Sequence, residues 1–262
     1  MAKDKQYKIL EVKNGYGDQA YWRSVVLPNV LKKYHKQPKK CVELLQKRWR
    51  RNLLPKLRKA GYEPARKRFV LGRNCPPVSV TTDQQQRSYT CGLHKTCPFC
   101  WCRHYTFKVW NHLLPVMFPA KNQLSAGGGV LLFRKLDTLN SLKQAHVVAT
   151  NDRLSELNVL QRQGVLVNGS FVFTFVRPRP EEAQWVVWRG GIALLGSPYE
   201  DQLKGYSAAE YYPHVKKAQL VDLVARAVPY PPSMFRVEPD RLVECLEATK
   251  SMRYLSFRGS LR

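Results

Sequence analysis

Four of the seven cysteines lie within the twelve positions 91–102, and this cluster constrains the fold more than any other feature of the sequence. The central pair, Cys97 and Cys100, is separated by two residues, so a tight turn can direct both thiolates at one tetrahedral ion. Cys91 precedes the pair, and Cys75 lies further upstream. We therefore predict a structural zinc knuckle whose ligands are Cys75, Cys91, Cys97 and Cys100.

The sequence leaves the fourth ligand of this knuckle open. His94 and Cys102 are the alternatives, because both lie within the same short segment. A cluster of reduced, partly buried cysteines without metal is the simpler interpretation. The odd number of cysteines and their close spacing favour reduced thiols and metal over disulfides, as expected for a cytoplasmic protein of a prokaryote, plasmid or phage.

The balance of charge is the second constraint. Lys and Arg number 44 against 19 Asp and Glu, which gives a formal net charge of +25 and a pI near 10.0. Such an excess needs a polyanion to relieve its self-repulsion, and nucleic acid is the usual one. An anionic membrane surface is the rival, but the sequence has no apolar run of 18 residues and no apolar signal segment. We expect a partner of nucleic acid and no membrane association.

Much of this positive charge is concentrated between residues 32 and 73, where Glu43 and Glu63 are the only acids. Apolar residues recur there at three- to five-residue spacing, which predicts one face of a helix that Pro55 kinks or restarts and Gly61 ends. The apolar residues are Leu44, Leu45, Trp49, Leu53, Leu54 and Leu57. The opposite face would carry Lys47, Arg48, Arg50, Arg51, Lys56, Arg58 and Lys59. Because acidic neighbours are scarce, we expect this face to contact phosphates, although a charge run is often only a solvated face.

The remainder of the chain predicts an α+β fold with one antiparallel sheet and packed helices. Helical spacing continues after the knuckle up to Pro119, and strand patterns follow at 130–136, 165–176 and 185–195. A helix is expected between the first two strands, and two more near 217–228 and 240–250. We divide the chain into a basic, mostly helical N-terminal extension (1–73), a knuckle with its following helix (74–119) and an α+β domain (120–262).

These pieces, in this order, resemble the replication initiators of rolling-circle plasmids, which belong to the HUH endonuclease group. The motifs that carry the resemblance are Cys91, Cys97-Pro98-Phe99-Cys100, Trp101, Arg103, Trp110, the strand at 130–137, Gly164, 171–176, 185–195, 220–232 and 242–259. The match covers about residues 88–260 and rests on motif order. It implies a Rep-like α+β domain that acts on DNA.

The catalytic motifs that the resemblance implies are missing. In an active member, two histidines on one strand hold Mg²⁺ or Mn²⁺, and a tyrosine on a following helix attacks the scissile phosphate. The corresponding strand, 185–191, has no histidine, and the corresponding helix, 222–228, has no tyrosine. The remaining catalytic candidates are Tyr211, Tyr212 and His214. We interpret the chain as a scaffold that has lost nicking activity and kept nucleic-acid binding.

The primary hypothesis is thus a nucleic-acid-binding protein, with DNA favoured over RNA and a single-stranded or hairpin element in the ligand. Arg177, Arg179 and Arg189 would line the sheet near the former active site. Arg253 and Arg258 flank two rings, Tyr254 and Phe257, that are candidates for stacking on bases.

Two alternatives come from other functional classes. One is an active initiator, a tyrosine-dependent DNA nicking and joining endonuclease with an unusual Mg²⁺ or Mn²⁺ site. The other is a basic subunit of a ribonucleoprotein or defence complex, in which the positive surface contacts protein partners.

Overall fold

The computed structural model describes residues 44–62 without 46, 79–82, 85–88, 93–118, 129–151, 155–162, 164–180, 182–196 and 209–261. The α-helices are α1 (Leu54–Lys59), α2 (Pro98–Trp101), α3 (Phe107–Met117), α4 (Leu142–Asn151), α5 (Ser155–Arg162), α6 (Lys217–Ala227) and α7 (Pro239–Ala248). The β-strands are β1 (Ser79–Thr82), β2 (Gln85–Ser88), β3 (Val130–Leu139), β4 (Val167–Pro178), β5 (Trp185–Leu195), β6 (Ala209–Tyr212) and β7 (Leu255–Gly259). Two π-helical turns, Trp49–Leu53 and Cys102–Thr106, precede α1 and α3, and a 3-10 turn spans Pro232–Phe235.

Five strands form one antiparallel sheet in the order β6-β3-β5-β4-β7, and β1 pairs with β2 separately. Both β3 and β4 run antiparallel to β5, so they are parallel to each other and flank it. The chain passes from β3 to β4 through α4 and α5, which makes this region a split β-α-β unit. The predicted α+β class with an antiparallel sheet is confirmed. The short edge strand β6 was not predicted.

The two faces of the sheet are covered by different helices. Strand residues alternate between faces, so Leu132 and Phe173 point one way while Leu131 and Val172 point the other. The first face packs against α2, α3 and α6 in the larger core. The second face packs against α5, whose Leu157 contributes to a smaller core. Because β4 and β5 are interior strands with both faces covered, they read as nearly continuous apolar runs.

Trp101 lies at the centre of the larger core. It is 1 % exposed, and its ring makes edge-on contacts with four aromatic rings besides that of its helical neighbour Tyr105. The four rings are those of Phe173, Phe175, Tyr230 and Tyr254, with centroid distances of 5.6, 5.3, 5.8 and 6.1 Å. Edge-to-face pairs of this kind contribute more than their buried area alone. Through Trp101, its last residue, α2 therefore packs against the sheet.

The predicted amphipathic helix of the basic segment is confirmed for the described residues 44–62. Leu45, Trp49, Leu53, Leu54 and Leu57 are all buried. Leu44, predicted on the same apolar face, is 50 % exposed, so that assignment was wrong. Pro55 lies in the first turn of α1, directly after the π-helical turn, and Gly61 ends the helix with a φ of +80°.

Candidate nucleic-acid interface

The basic face predicted for this helix is exposed to solvent along its whole length. We use "basic helix" for residues 47–59 and "basic face" for its seven cations. The basic face consists of Lys47, Arg48, Arg50, Arg51, Lys56, Arg58 and Lys59, each of which is exposed. No acidic residue lies between positions 44 and 62, so the positive charge of this stretch is not interrupted by acidic residues of its own. The apolar side of the same helix is buried, which fixes the direction in which the cations point.

The basic helix is held by two other elements, α7 and the 3-10 turn Pro232–Phe235. The guanidinium of Arg48 lies over the ring of Phe235, with 5.1 Å between its Cζ atom and the ring centroid. Such a cation–π contact contributes about 0.5–1 kcal/mol at an exposed site. Arg48 therefore has a packing role in addition to its charge.

The other predicted nucleic-acid contacts are scattered, and their surroundings differ. Arg253 and Arg258 are exposed, as a phosphate contact requires, whereas Arg177 is half-buried. Arg179 is exposed but forms a 3.1 Å salt bridge with Glu182 and a hydrogen bond to Gln184.

Arg189 lies in the core instead of on the surface. It is 1 % exposed and forms a salt bridge with Asp137 on the neighbouring strand β3. Direct contact with a ligand phosphate does not fit this position, because the guanidinium is almost fully buried and already pairs with a carboxylate. The sequence showed one arginine among apolar strand residues, and only the strand register revealed its partner.

The two rings considered for base stacking occupy different environments. Tyr254 is 4 % exposed, burial raises the pKa of its phenol, and its Oη atom lies 3.2 Å from Oγ1 of Thr249. A stacking role for Tyr254 is therefore wrong. Phe257 is partly exposed, but it stacks on His112 with ring centroids 4.1 Å apart. One face of the Phe257 ring is thus already covered by the protein.

Two of the four predicted zinc ligands can be placed. Cys97 and Cys100 are 0 % and 3 % exposed and lie at the start of α2, where the predicted turn would bring their thiolates together. Cys75, Cys91 and the side chain of Cys102 lie outside the described residues. Within the described part of the chain, no group of three or more His, Cys, Asp and Glu side chains is arranged to hold a metal ion. His94 stacks on His104 with ring centroids 4.3 Å apart.

The turn that precedes Cys97 is anchored to the rest of the fold by two neighbouring residues. The ammonium of Lys95 donates hydrogen bonds to the carbonyl oxygens of Thr249 and Lys250 at the end of α7, and lies 4.6 Å from the Tyr254 ring centroid. Burial lowers the pKa of Lys95 to about 8. The next residue, Thr96, accepts a 2.9 Å hydrogen bond from Tyr230. The segment 93–101 therefore packs against α7, the helix that also supports the basic helix.

Two of the three catalytic candidates, Tyr211 and Tyr212, lie on strand β6 and not on a helix. Because side chains alternate along β6, Tyr211 packs against the smaller core while Tyr212 is on the opposite face of the sheet. His214 is exposed just beyond the strand. The three residues thus do not converge on one point.

Tyr212 belongs to a polar network that sequence reasoning did not find. Its phenol donates a 2.7 Å hydrogen bond to Glu210 and accepts a 2.8 Å hydrogen bond from Arg226. Glu210 also pairs with Arg226 and, at 2.5 Å, with Arg134. The hydrogen bond from Arg226 lowers the pKa of Glu210, and burial raises that of Tyr212. A carboxylate with a lowered pKa is a weak base, and a phenol with a raised pKa is hard to deprotonate. The pair is therefore poorly suited to nucleophilic attack by Tyr212. In the sequence, Glu210 and Tyr212 are two positions apart, which places them on one face of a strand. This spacing was the signal that could have revealed the network.

Strand β5 corresponds, by the resemblance, to the strand that carries the metal-binding histidines. Here its residues 188–190 make packing contacts instead. Trp188 donates a 3.3 Å hydrogen bond to the carbonyl of Ala227 at the end of α6. A Cβ atom at Gly190 would lie only 2.5 Å from that same carbonyl oxygen, so glycine permits the close approach of α6. Between these two residues, Arg189 is buried against Asp137. Residues 188–190 therefore contribute to packing inside the protein.

Comparison with known proteins found no matching family model, no matching curated protein and no matching solved structure. None of the helices in the described ranges has the length and apolar character needed to cross a membrane.

Proposed function

We propose that this chain is a nucleic-acid-binding protein that holds phosphates with the basic face of residues 47–59, and that DNA is its preferred ligand. The observation that carries the proposal is the exposure of seven cations on a helix whose other side is buried. Phosphate contacts dominate nucleic-acid affinity and do not depend on sequence. Because α7 and the 3-10 turn hold the helix, the backbone that carries the cations is already ordered before binding.

We also propose that the α+β domain is a Rep-like scaffold that has lost nicking activity. The packing of Trp188 and Gly190 against α6 supports this, as does the core position of Arg189. Incubating the protein with single-stranded DNA and Mg²⁺ or Mn²⁺ should yield no covalent adduct. An adduct that disappears in Tyr212→Phe would show that nicking persists.

The binding proposal is tested by the double variant Arg50→Ala/Lys56→Ala, which spares the packing of Arg48. Each lost phosphate contact flattens the slope of log K against log[salt] by about 0.9. We expect the slope to decrease by about 1.8 and the affinity at 0.1 M salt to fall by about 50-fold. Fluorescence anisotropy with a labelled DNA duplex over a series of salt concentrations measures both quantities.

The matched control is Lys143→Ala/Arg162→Ala, which removes two exposed cations from α4 and α5. This variant should bind almost as the wild type does. Two results would refute a phosphate-binding role for the basic helix. One is a wild-type affinity that does not change with salt concentration, and the other is an equal loss of affinity in both variants. Circular dichroism and thermal melting confirm that each variant is folded.

We further propose that the knuckle holds one structural zinc ion through Cys75, Cys91, Cys97 and Cys100. The two described members fit such a site, since both are buried thiols at the same helix start. Zinc bound there would stabilise the segment that carries Trp101 and Lys95.

Metal analysis of the purified protein should find about one zinc per chain, as expected for a closed four-ligand site. Cys97→Ser/Cys100→Ser should lose the zinc and melt at lower temperature. Cys245→Ala, which changes a buried cysteine on α7, should keep it. Retention of zinc by the double serine variant would show that these cysteines are not ligands.

A further inference from the structure

The cations of the basic helix are arranged in rows along its axis. In a regular α-helix, residues eight apart are offset by about 80° around the axis. Here each such pair spans part or all of the π-helical turn Trp49–Leu53, which has more residues per turn and removes most of that offset, so the two residues lie on nearly the same side. Arg48 and Lys56 form one lateral row, and Arg50 and Arg58 form a second row on the other side. A central ridge lies opposite the buried stripe and consists of Lys47, Arg51 and Lys59. The side that faces the protein is marked by the buried residues Leu45, Trp49, Leu53, Leu54 and Leu57, and Leu54 lies at its edge, next to the second row.

The π-helical turn Trp49–Leu53 keeps these rows in line. A π turn contains more residues than an α turn, so it delays the rotation of the residues that follow it. Trp49 and Leu53 therefore both reach the core, and so does Leu57 after two turns. Since the buried side stays constant, the lateral rows stay on opposite flanks from residue 48 to residue 58.

The width of a helix with a cation row on each flank matches one kind of nucleic-acid groove. An α-helix with its side chains is about 10–12 Å across, and the major groove of B-form DNA is about 12 Å wide. A helix that enters this groove with its ridge foremost places one lateral row beside each phosphate backbone. The length of residues 47–59, about 20 Å, would follow the groove for several base pairs.

We propose that the ligand of the basic helix is B-form double-stranded DNA, with the helix in the major groove and its two lateral rows on opposite backbones. This inference rests on the proposed function and specifies its ligand. It replaces the expectation of a single-stranded element. A single strand offers one backbone, so it can use only one row at a time. An RNA duplex has a major groove too narrow to admit the helix.

The aromatic rings agree with a duplex ligand. Binding of single strands relies on exposed rings that stack on unpaired bases. Of the rings that the sequence places among cations, Trp49, Trp101 and Tyr254 are no more than 4 % exposed. Phe235 is covered by Arg48, and Phe257 by His112. These rings stabilise the protein rather than the ligand.

The test compares three labelled ligands of one sequence and length: a 20-base-pair DNA duplex, its single DNA strand and the corresponding RNA duplex. Anisotropy titrations at 0.1 M salt should show at least tenfold tighter binding of the DNA duplex than of either other ligand. A second DNA duplex of unrelated sequence should show the same salt slope, because the phosphate contacts of the two lateral rows carry no sequence information.

Row variants then test the geometry on the DNA duplex. Arg48→Gln/Lys56→Ala removes the first row, Arg50→Ala/Arg58→Ala the second, and a quadruple variant removes both. Each double variant should flatten the salt slope by about 1.8, and the quadruple variant by about 3.6, since the rows contact different backbones. Lys143→Ala/Arg162→Ala again serves as the control for lost charge, and thermal melting checks folding.

The outcomes separate this inference from the proposed function. Binding that is salt-dependent but equally tight for the single strand or the RNA duplex overturns the groove arrangement and leaves nucleic-acid binding intact. The same holds if one row variant weakens duplex binding and the other does not. If none of the three ligands binds in a salt-dependent way, the proposed function itself fails.

Discussion

Replacing Trp101 by alanine is expected to lower the free energy of unfolding by about 3–5 kcal/mol, the usual cost of truncating a buried tryptophan. The side chain is 1 % exposed and touches rings from β4, from the proline-rich bend at Tyr230 and from Tyr254 before β7. Its removal would leave a cavity where four segments meet. Urea denaturation followed by circular dichroism measures the change directly.

Two further variants calibrate this result. Trp101→Phe should cost less than Trp101→Ala, because phenylalanine fills part of the volume and the indole Nε1 has no hydrogen-bond partner among the described residues. Leu136→Ala, at a side chain that is 55 % exposed, should change stability by less than about 0.5 kcal/mol. If Trp101→Ala lowers the free energy of unfolding by less than about 1 kcal/mol, the segment that carries Trp101 is not part of the cooperative core.

Replacing Asp137 by alanine should destabilise the protein by about 3 kcal/mol, the lower end of the cost of breaking a buried ion pair. The guanidinium of Arg189 would stay buried in the sheet without its carboxylate partner. The reverse change, Arg189→Met, should cost less, because Asp137 is 25 % exposed and water can solvate it. Chemical denaturation of both single variants and of the double variant gives the coupling between the two residues.

The double variant Asp137→Ala/Arg189→Met is the decisive control. An apolar pair of similar volume removes the buried charge, so stability should return towards that of the wild type. DNA affinity should remain unchanged in Arg189→Met if the residue is structural. A large loss of affinity without a loss of stability would instead support the original expectation that Arg189 contacts phosphate.

The candidate site was predictable where the signal is local. The alternation of apolar and basic residues between 44 and 59 depends only on helical periodicity, and it identified both the buried stripe and the exposed cations. Leu44 was the exception. It lies about 100° around the helix from the buried Leu45 and about one turn before the exposed Arg48, so it is on the solvent side.

The roles expected for the tyrosines and for Arg189 depended on contacts between residues far apart in the sequence, which local patterns do not reveal. The resemblance suggested a helix for the nucleophile, whereas Tyr211 and Tyr212 lie on the edge strand β6 and point to opposite faces. Their strand is short and follows no clear apolar alternation. The network around Glu210 joins β3, β6 and α6, which are far apart in the sequence.

From the sequence alone came the α+β class, the interior strands, the amphipathic basic helix and the excess of positive charge, because composition and periodicity act over a few neighbouring residues. The tertiary structure decided which of those cations and rings reach the solvent. Burial of Arg189 and Tyr254, and exposure of the basic face, depend on which segments pack together. That choice is made by contacts between residues tens of positions apart, which no local pattern records.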